Sequence, residues 1–396
     1  MTTVATADSS ATQAFSGRSA RLRAAAGGFL GFGAFIGLLD GAAPALQARM
    51  NLSDGALGTL LSAPLLVAVL AMGAVPRLLA RHGNTVVLQA ALVAFAATAV
   101  GIALAPSTWS LLVIIVVWGG VATGFAEVSV NASAIDAAAE HPMPVLGYLH
   151  GGFNVGATAA VLLTSALQDR GASLSTLALS VGCLIVLFLL GTRGATARQR
   201  PTISAQSERV AASKVAALPI LSGLGALALL VEATATTWPV VYAVSYLGVS
   251  PLIGGGLFFA FQAAMIGGRT LYAPLATRFS GGAIATMCGV VLVAGAVTAF
   301  STTVTWLSAA GFFLCGLAVA SLLPAVMQTV GQVAGEAVSS ATATVTRVGY
   351  AGLFLGPWVC GLAADATSLR VGLFGVLAAS GIAIAVLGTR LSRASG

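Results

Sequence analysis

The sequence predicts an all-α polytopic membrane protein of about twelve transmembrane helices, arranged as two parallel six-helix repeats. Three observations carry the prediction: a composition that water cannot accommodate, continuous apolar stretches of bilayer length, and internal similarity at a fixed offset. Of 396 residues, 58% are apolar and 7% charged, with a mean hydropathy of +0.99, whereas a soluble domain carries roughly a quarter charged residues. A spanning helix needs about 20 apolar residues at ~1.5 Å rise each, and the chain divides into about that many residues per run between short polar breaks. The runs are continuous rather than alternating in polarity, which favours helices over a barrel, because lipid leaves no backbone group unpaired. The 48 glycines suit helices that approach closely in lipid.

Apolar runs place helices near 24–48, 55–79, 84–105, 109–134, 146–168, 172–192, 216–244, 251–275, 282–300, 305–331, 337–363 and 369–390. The longest polar interruption follows the sixth of these and holds Arg193, Arg198, Arg200, Pro201, Glu208 and Arg209. The expected division is a disordered cytoplasmic tail over 1–23, an N-terminal bundle over 24–192, a cytoplasmic linker over 193–213, a C-terminal bundle over 214–390 and a cytoplasmic tail over 391–396.

A shift of 197 residues brings Trp109 onto Trp306, Arg81 onto Arg278 and His150 onto Arg347, the last pair each followed by a Gly-aromatic run (Gly151, Gly152, Phe153; Gly349, Tyr350). Several coincidences at one offset argue for duplication. An even number of helices per repeat preserves orientation, so the repeats are parallel, with a solute site expected between them near mid-bilayer.

The net charge of +7 would suit nucleic acid if the basic residues were clustered, but they fall in alternate loops. With the N-terminus inside, 13 of the 18 Lys and Arg residues face the cytoplasm and only Arg49, Arg170 and Arg370 the outside, with Arg269 and Arg347 within helices. This positive-inside asymmetry places both termini in the cytoplasm of a bacterial inner membrane and excludes nucleic acid as a partner. Cys183, Cys288, Cys315 and Cys360 match no metal or redox spacing and read as packing residues. No nucleotide loop, zinc spacing or nucleophilic triad is visible, so neither enzyme activity, cofactor nor metal is expected.

The break after the second expected helix, 73–83 with Arg77 and Arg81, resembles the glycine- and arginine-bearing loop of the major facilitator superfamily, although the acidic residue usual there is absent. Within that superfamily, Asp40, Gly41, Ala42, Ala43 and Pro44 in the first expected helix, Glu127 to Asn131 in the fourth, and Phe153 with Asn154 in the fifth resemble the fucose permease branch. The resemblance implies the major facilitator fold, with Asp40 and Glu127 serving solute binding and proton coupling. Glu232, Trp238, Arg269 and the run from Gly349, Tyr350 and Gly352 to Gly356 and Pro357 are similar to a related branch of bacterial inner-membrane proteins. Those relatives carry an acid before the Trp of the seventh helix; this chain has Thr237.

Transport makes no covalent bonds; it needs groups that hold a solute and a group that exchanges a proton. Ionisable residues within spans are the default candidates, since each costs at least ~2.5 kcal/mol at a helix centre. Asp40, Glu127 and His150 are the expected proton-coupling groups. Glu127 and Asn131, four apart, share a helix face, as do His150 and Asn154. Solute contacts are expected from Asp40, Glu127, Asn131, Asn154, Glu232, Trp238, Arg347 and Tyr350, and gating from Arg77, Arg81, Arg269 and Arg278. Structural alternatives stay open for each: a helix-end residue for Asp40, interhelical hydrogen bonds for Glu127 and His150, ion pairing for Glu232 and Arg347, and core packing for the aromatics.

The reading is a monomeric secondary transporter moving a small solute, sugar-like or otherwise small and organic, by proton-coupled symport with alternating access. Efflux by proton antiport is the alternative. A receptor or scaffold that does not transport is the alternative of another class, against which stand the short loops.

Overall fold

The computed structural model describes residues 2–141, 145–195 and 215–394; the expected linker lies, beyond its first three residues, outside them. The described residues form helices and turns, with no strand among them. In chain order these are α1 (Thr2–Gly41), α2 (Ala43–Met50), α3 (Asp54–Met72), α4 (Val75–His82), α5 (Asn84–Leu104), α6 (Thr108–Val113), a π-helical stretch (Ile114–Gly119), α7 (Gly120–Glu140), α8 (Val145–Gln168), α9 (Leu174–Gly191), α10 (Leu218–Thr237), α11 (Pro239–Ser245), α12 (Pro251–Ala276), α13 (Gly281–Phe300), α14 (Thr305–Val333), a 3₁₀ turn (Gly335–Ala337), α15 (Val338–Ala366) and α16 (Leu369–Ala394).

Among the described residues, 11 helices are long and apolar enough to cross a membrane. α8, with 24 residues, lies where the fifth span is expected and reaches ~36 Å at ~1.5 Å per residue.

Departures from the expected boundaries have local causes. Proline breaks the first and seventh spans: Pro44 opens α2 and Pro239 opens α11, because proline offers no N–H to the preceding turn. The fourth span is longer than expected, running Thr108–Glu140 through its π-helical stretch. The segment expected as a tail is helical from Thr2, and the alanine-rich run up to Ala26 has the helix propensity to extend the helix ahead of the span.

The chain forms two compact units. The first is Met1–Leu39, Ala63–Leu167 and Gly171–Ile203; the second is Asp40–Ser62, Gln168–Arg170 and Ser204–Gly396. Residues 40–62 thus pack with the second repeat, and Ala43 and Leu57 sit in its apolar core beside Leu221, Val241 and Phe261.

In the first unit α1 crosses α8 at very short range. A Cβ on Gly156 would lie 2.1 Å from the Leu30 carbonyl oxygen, and one on Gly33 would lie 2.0 Å from that of Phe153. In the second unit α10 crosses α15 in the same way, a Cβ on Gly352 lying 2.0 Å from the Ala226 carbonyl oxygen. Leu30 to Ala226 and Gly156 to Gly352 are both shifts of 196 residues, so one helix crossing is built twice. Backbones this close need small residues, the usual device for helix association where lipid removes the hydrophobic drive between helices.

Candidate functional site

In the second unit the candidate residues gather where two helices are broken. Asp40 is the penultimate residue of α1 and Thr237 the last of α10. Pro44 has no N–H with which to meet the Asp40 carbonyl, so the helix loosens there, and the Gln168 side chain donates to the neighbouring Gly41 carbonyl oxygen at 2.7 Å. Asp40 is only 5% exposed and Thr237 6%. The Thr237 side chain is the polar neighbour of the Asp40 carboxyl, although no hydrogen bond of ordinary length joins the two, and no described cation forms an ion pair with Asp40.

Trp238 follows Thr237 directly and is fully buried, yet its indole N–H finds no acceptor among the described residues. Donors this deep are ordinarily satisfied. Gly58 of α3 admits the indole: a Cβ there would come within 3.2 Å of Trp238 Cζ2 and 2.4 Å of the Pro357 carbonyl oxygen. Of the other second-repeat candidates, Glu232 and Tyr350 are half-buried, whereas Arg269, Arg278 and Arg347 are exposed. No salt bridge joins Glu232 to Arg269 or to Arg347 among the described residues.

In the first unit α7 carries Glu127 and Asn131, both half-buried. Asn131 Nδ2 donates to Glu127 Oε1 at 3.0 Å and to the Glu127 carbonyl oxygen at 2.7 Å, which is the four-residue pairing expected from one helix face. Glycines at the start of α7, just after the π-helical stretch, let the helix press on α3: a Cβ on Gly120 would meet the Pro64 carbonyl oxygen at 2.6 Å and one on Gly124 the Ala68 carbonyl oxygen at 2.4 Å. On α8 the His150 ring meets Phe29 edge-on, centroids 4.9 Å apart. Asn154, one turn further, is 2% exposed with its Nδ2 lacking a partner among the described residues. Arg77 and Arg81 are exposed on α4.

Several polar contacts escape sequence reasoning. Asn84 Nδ2 donates to the buried Asp136 carboxylate, tying α5 to α7. Arg21 and Glu140 form a salt bridge of 2.9 Å between α1 and the end of α7. In the second unit, Arg370 donates to Tyr246 Oη at 2.7 Å and lies over its ring. Asp365 binds the start of α3 through Ser53 and Gly55. Each joins residues far apart in sequence, and none has a motif; only the isolated acids Asp136 and Asp365 in apolar surroundings offered a signal.

Comparison with known proteins places this architecture. The sequence profile of the Major Facilitator Superfamily matches residues 24–357. The chain belongs to that superfamily. Among its relatives, an uncharacterised transporter of Sinorhizobium fredii is 27% identical over 376 residues, covering 90% of this chain and 96% of the relative. An uncharacterised superfamily transporter of Yersinia pestis is 24% identical over 344 residues, covering 85% and 86% respectively. Among solved structures, a mutant form of the nucleoside transporter NupG aligns with a TM-score of 0.77 at 13% identity, covering 94% of this chain and 99% of that one. The inward-open xylose transporter XylE from E. coli aligns with a TM-score of 0.72 at 15% identity, covering 94% and 95%. The superfamily chain is thus a multi-pass membrane transporter with the twelve-helix fold.

Proposed function

We propose that this transporter moves a small, hydroxyl-bearing organic solute by alternating access, coupled to protons through Asp40 and Glu127, as an uptake symporter of the bacterial inner membrane with both termini cytoplasmic. The observation that carries the reading is Asp40: a carboxyl 5% exposed at a helix break, with Thr237 as its polar neighbour and without an ionic partner among the described residues. Burying such a group is costly unless a proton or a ligand compensates it. It is therefore the place where proton occupancy and solute occupancy can be exchanged for one another.

Thr237 belongs to the same argument. Two acids facing each other would repel, whereas a hydroxyl donates to the carboxylate and still accepts from the neutral acid. One side chain thus serves both protonation states. The unpartnered donors Trp238 Nε1 and Asn154 Nδ2 favour a solute that supplies acceptor oxygens. Fold neighbours described as a D-xylose-proton symporter and a nucleoside transporter agree with that class of solute. Glu127 is the second acid, with Asn131 holding its carboxylate and offering its own amide oxygen to the solute.

The test is reconstitution. Candidate sugars, polyols and nucleosides are first screened by thermal shift on detergent-purified protein. Proteoliposomes with an imposed inward proton gradient then accumulate the solute that binds, and a proton-conducting ionophore abolishes accumulation. Accumulation that ignores the gradient contradicts the coupling, and a ligand that binds yet never crosses contradicts transport. Unchanged coupling in Glu127→Gln removes that residue from the mechanism.

A further inference from the structure

The start of α3 is held by a group from the other repeat. Ser53 precedes the helix, and its Oγ accepts from the Ala56 N–H at 3.2 Å, capping the first turn. The same hydroxyl donates to Asp365 Oδ2 at 2.8 Å, and the Gly55 N–H donates to Asp365 Oδ1 at 3.0 Å. Both oxygens of a carboxylate at the end of α15 are thereby used on a helix terminus 310 residues away in sequence. An anion is favoured there because the first N–H groups of a helix have no acceptors of their own and its dipole is positive at that end. Asp54 is engaged separately, accepting from Gln47 Nε2 at 2.7 Å.

Glycines make the approach possible. A Cβ on Gly55 would lie 2.4 Å from Asp365 Oδ2, and one on Gly361 would lie 2.5 Å from the Asp54 carbonyl oxygen. Beneath this polar rim lies an apolar layer in which Leu57 is fully buried among residues of the second repeat and Gly58 lies against Pro357 and Trp238. The rim itself is open to water: Ser53 and Asp365 are exposed, and no salt bridge engages Asp365 among the described residues. A contact made from one exposed hydroxyl, one part-buried N–H and one exposed carboxylate breaks readily, because water replaces the exposed partners as they leave.

We propose that Asp365 is the latch of the outer gate: it holds the start of α3 on the end of α15 when the outer side is closed and lets go when that side opens. The inference rests on the transport reading and on the orientation that puts this end of the molecule outside. Alternating access requires residues 41–58 to leave the second repeat, and the two Asp365 hydrogen bonds are polar contacts that must break as they do.

The test reads accessibility rather than transport. In full-length protein with Cys183, Cys288, Cys315 and Cys360 replaced by serine or alanine, Leu57→Cys places a thiol beneath the latch. A membrane-impermeant maleimide is applied separately to right-side-out and inverted vesicles. The parent protein labels slowly from outside. Asp365→Asn and, independently, Gly55→Ala each raise the outside labelling rate about tenfold, equivalent to ~1.4 kcal/mol. Gly55→Ala displaces the carboxylate sterically while favouring helix in α3, so it keeps the test valid should the charge variant fold poorly. A faster rate seen only in inverted vesicles would sustain the latch and overturn the orientation. Rates unchanged from both faces in both variants would overturn the latch and leave the transport reading standing.

Discussion

Replacing Thr237 by valine keeps the shape of the side chain and removes only the hydroxyl, which is why it isolates what that hydroxyl can donate to the neighbouring Asp40 carboxyl. Both residues are at least nine-tenths buried, so water does not readily take the place of the removed hydroxyl. A hydrogen bond to a charged group contributes about 1.5–3 kcal/mol, and at ~1.4 kcal/mol per factor of ten the state that uses it is disfavoured roughly ten- to a hundredfold. The cost falls on the form in which Asp40 carries its charge; the neutral acid loses a weaker bond. Thr237→Val therefore weakens proton-driven accumulation by roughly that factor while leaving solute counterflow, which needs no net proton movement, much closer to the parent. Thr237→Ser restores accumulation. The assay is initial-rate uptake in proteoliposomes under an imposed pH gradient, set beside counterflow in the same preparation. In an Asp40→Asn background the valine substitution adds little, because the charge it serves is gone. Full accumulation in Thr237→Val, or an equal and additive loss on top of Asp40→Asn, would refute the reasoning.

The remaining expectations follow from the packing and the polar contacts. Gly156→Val and Gly352→Val each force a Cβ into a carbonyl oxygen 2.0–2.1 Å away and lower thermal stability in detergent by about 1–3 kcal/mol or more apiece, measured as the loss of monodisperse protein on heating; similar losses at both positions support the duplicated crossing. Asn84→Ala removes the donor to buried Asp136 and destabilises by ~1–3 kcal/mol, whereas Arg21→Ala breaks a part-exposed bridge and changes stability by less than ~1 kcal/mol; the same heating series separates them. Asn131→Leu takes from Glu127 its side-chain donor and raises the solute KM several-fold, read from concentration-dependent uptake.

The fold was largely legible because lipid makes the rules strict: apolar runs of spanning length, glycines at helix crossings and prolines at helix breaks all act locally. Pro44 and Pro239 were visible as residues, but the sequence pattern ran each span straight through them, since apolar residues continue on the far side of each proline. The candidate site was legible as residue types and not as neighbours. Glu127 and Asn131 share one helix, so four-residue spacing sufficed to pair them. Asp40 and Thr237 lie on different helices, and Thr237 stood out in the sequence only as the place where an acid is missing. Asp365 carried no motif at all, because its partners are backbone and hydroxyl groups at the far end of the chain. Arg347 shows the converse limit: a charge within an apolar span reads as buried and paired, whereas its side chain is exposed and forms no salt bridge among the described residues.

The most direct measurement compares net accumulation with exchange for Asp40→Asn in proteoliposomes carrying an internal pH indicator. The account predicts that the parent protein acidifies the lumen as it accumulates solute, while Asp40→Asn exchanges labelled for unlabelled solute yet neither accumulates it nor moves protons. A variant that accumulates solute with the parent's proton flux would contradict it.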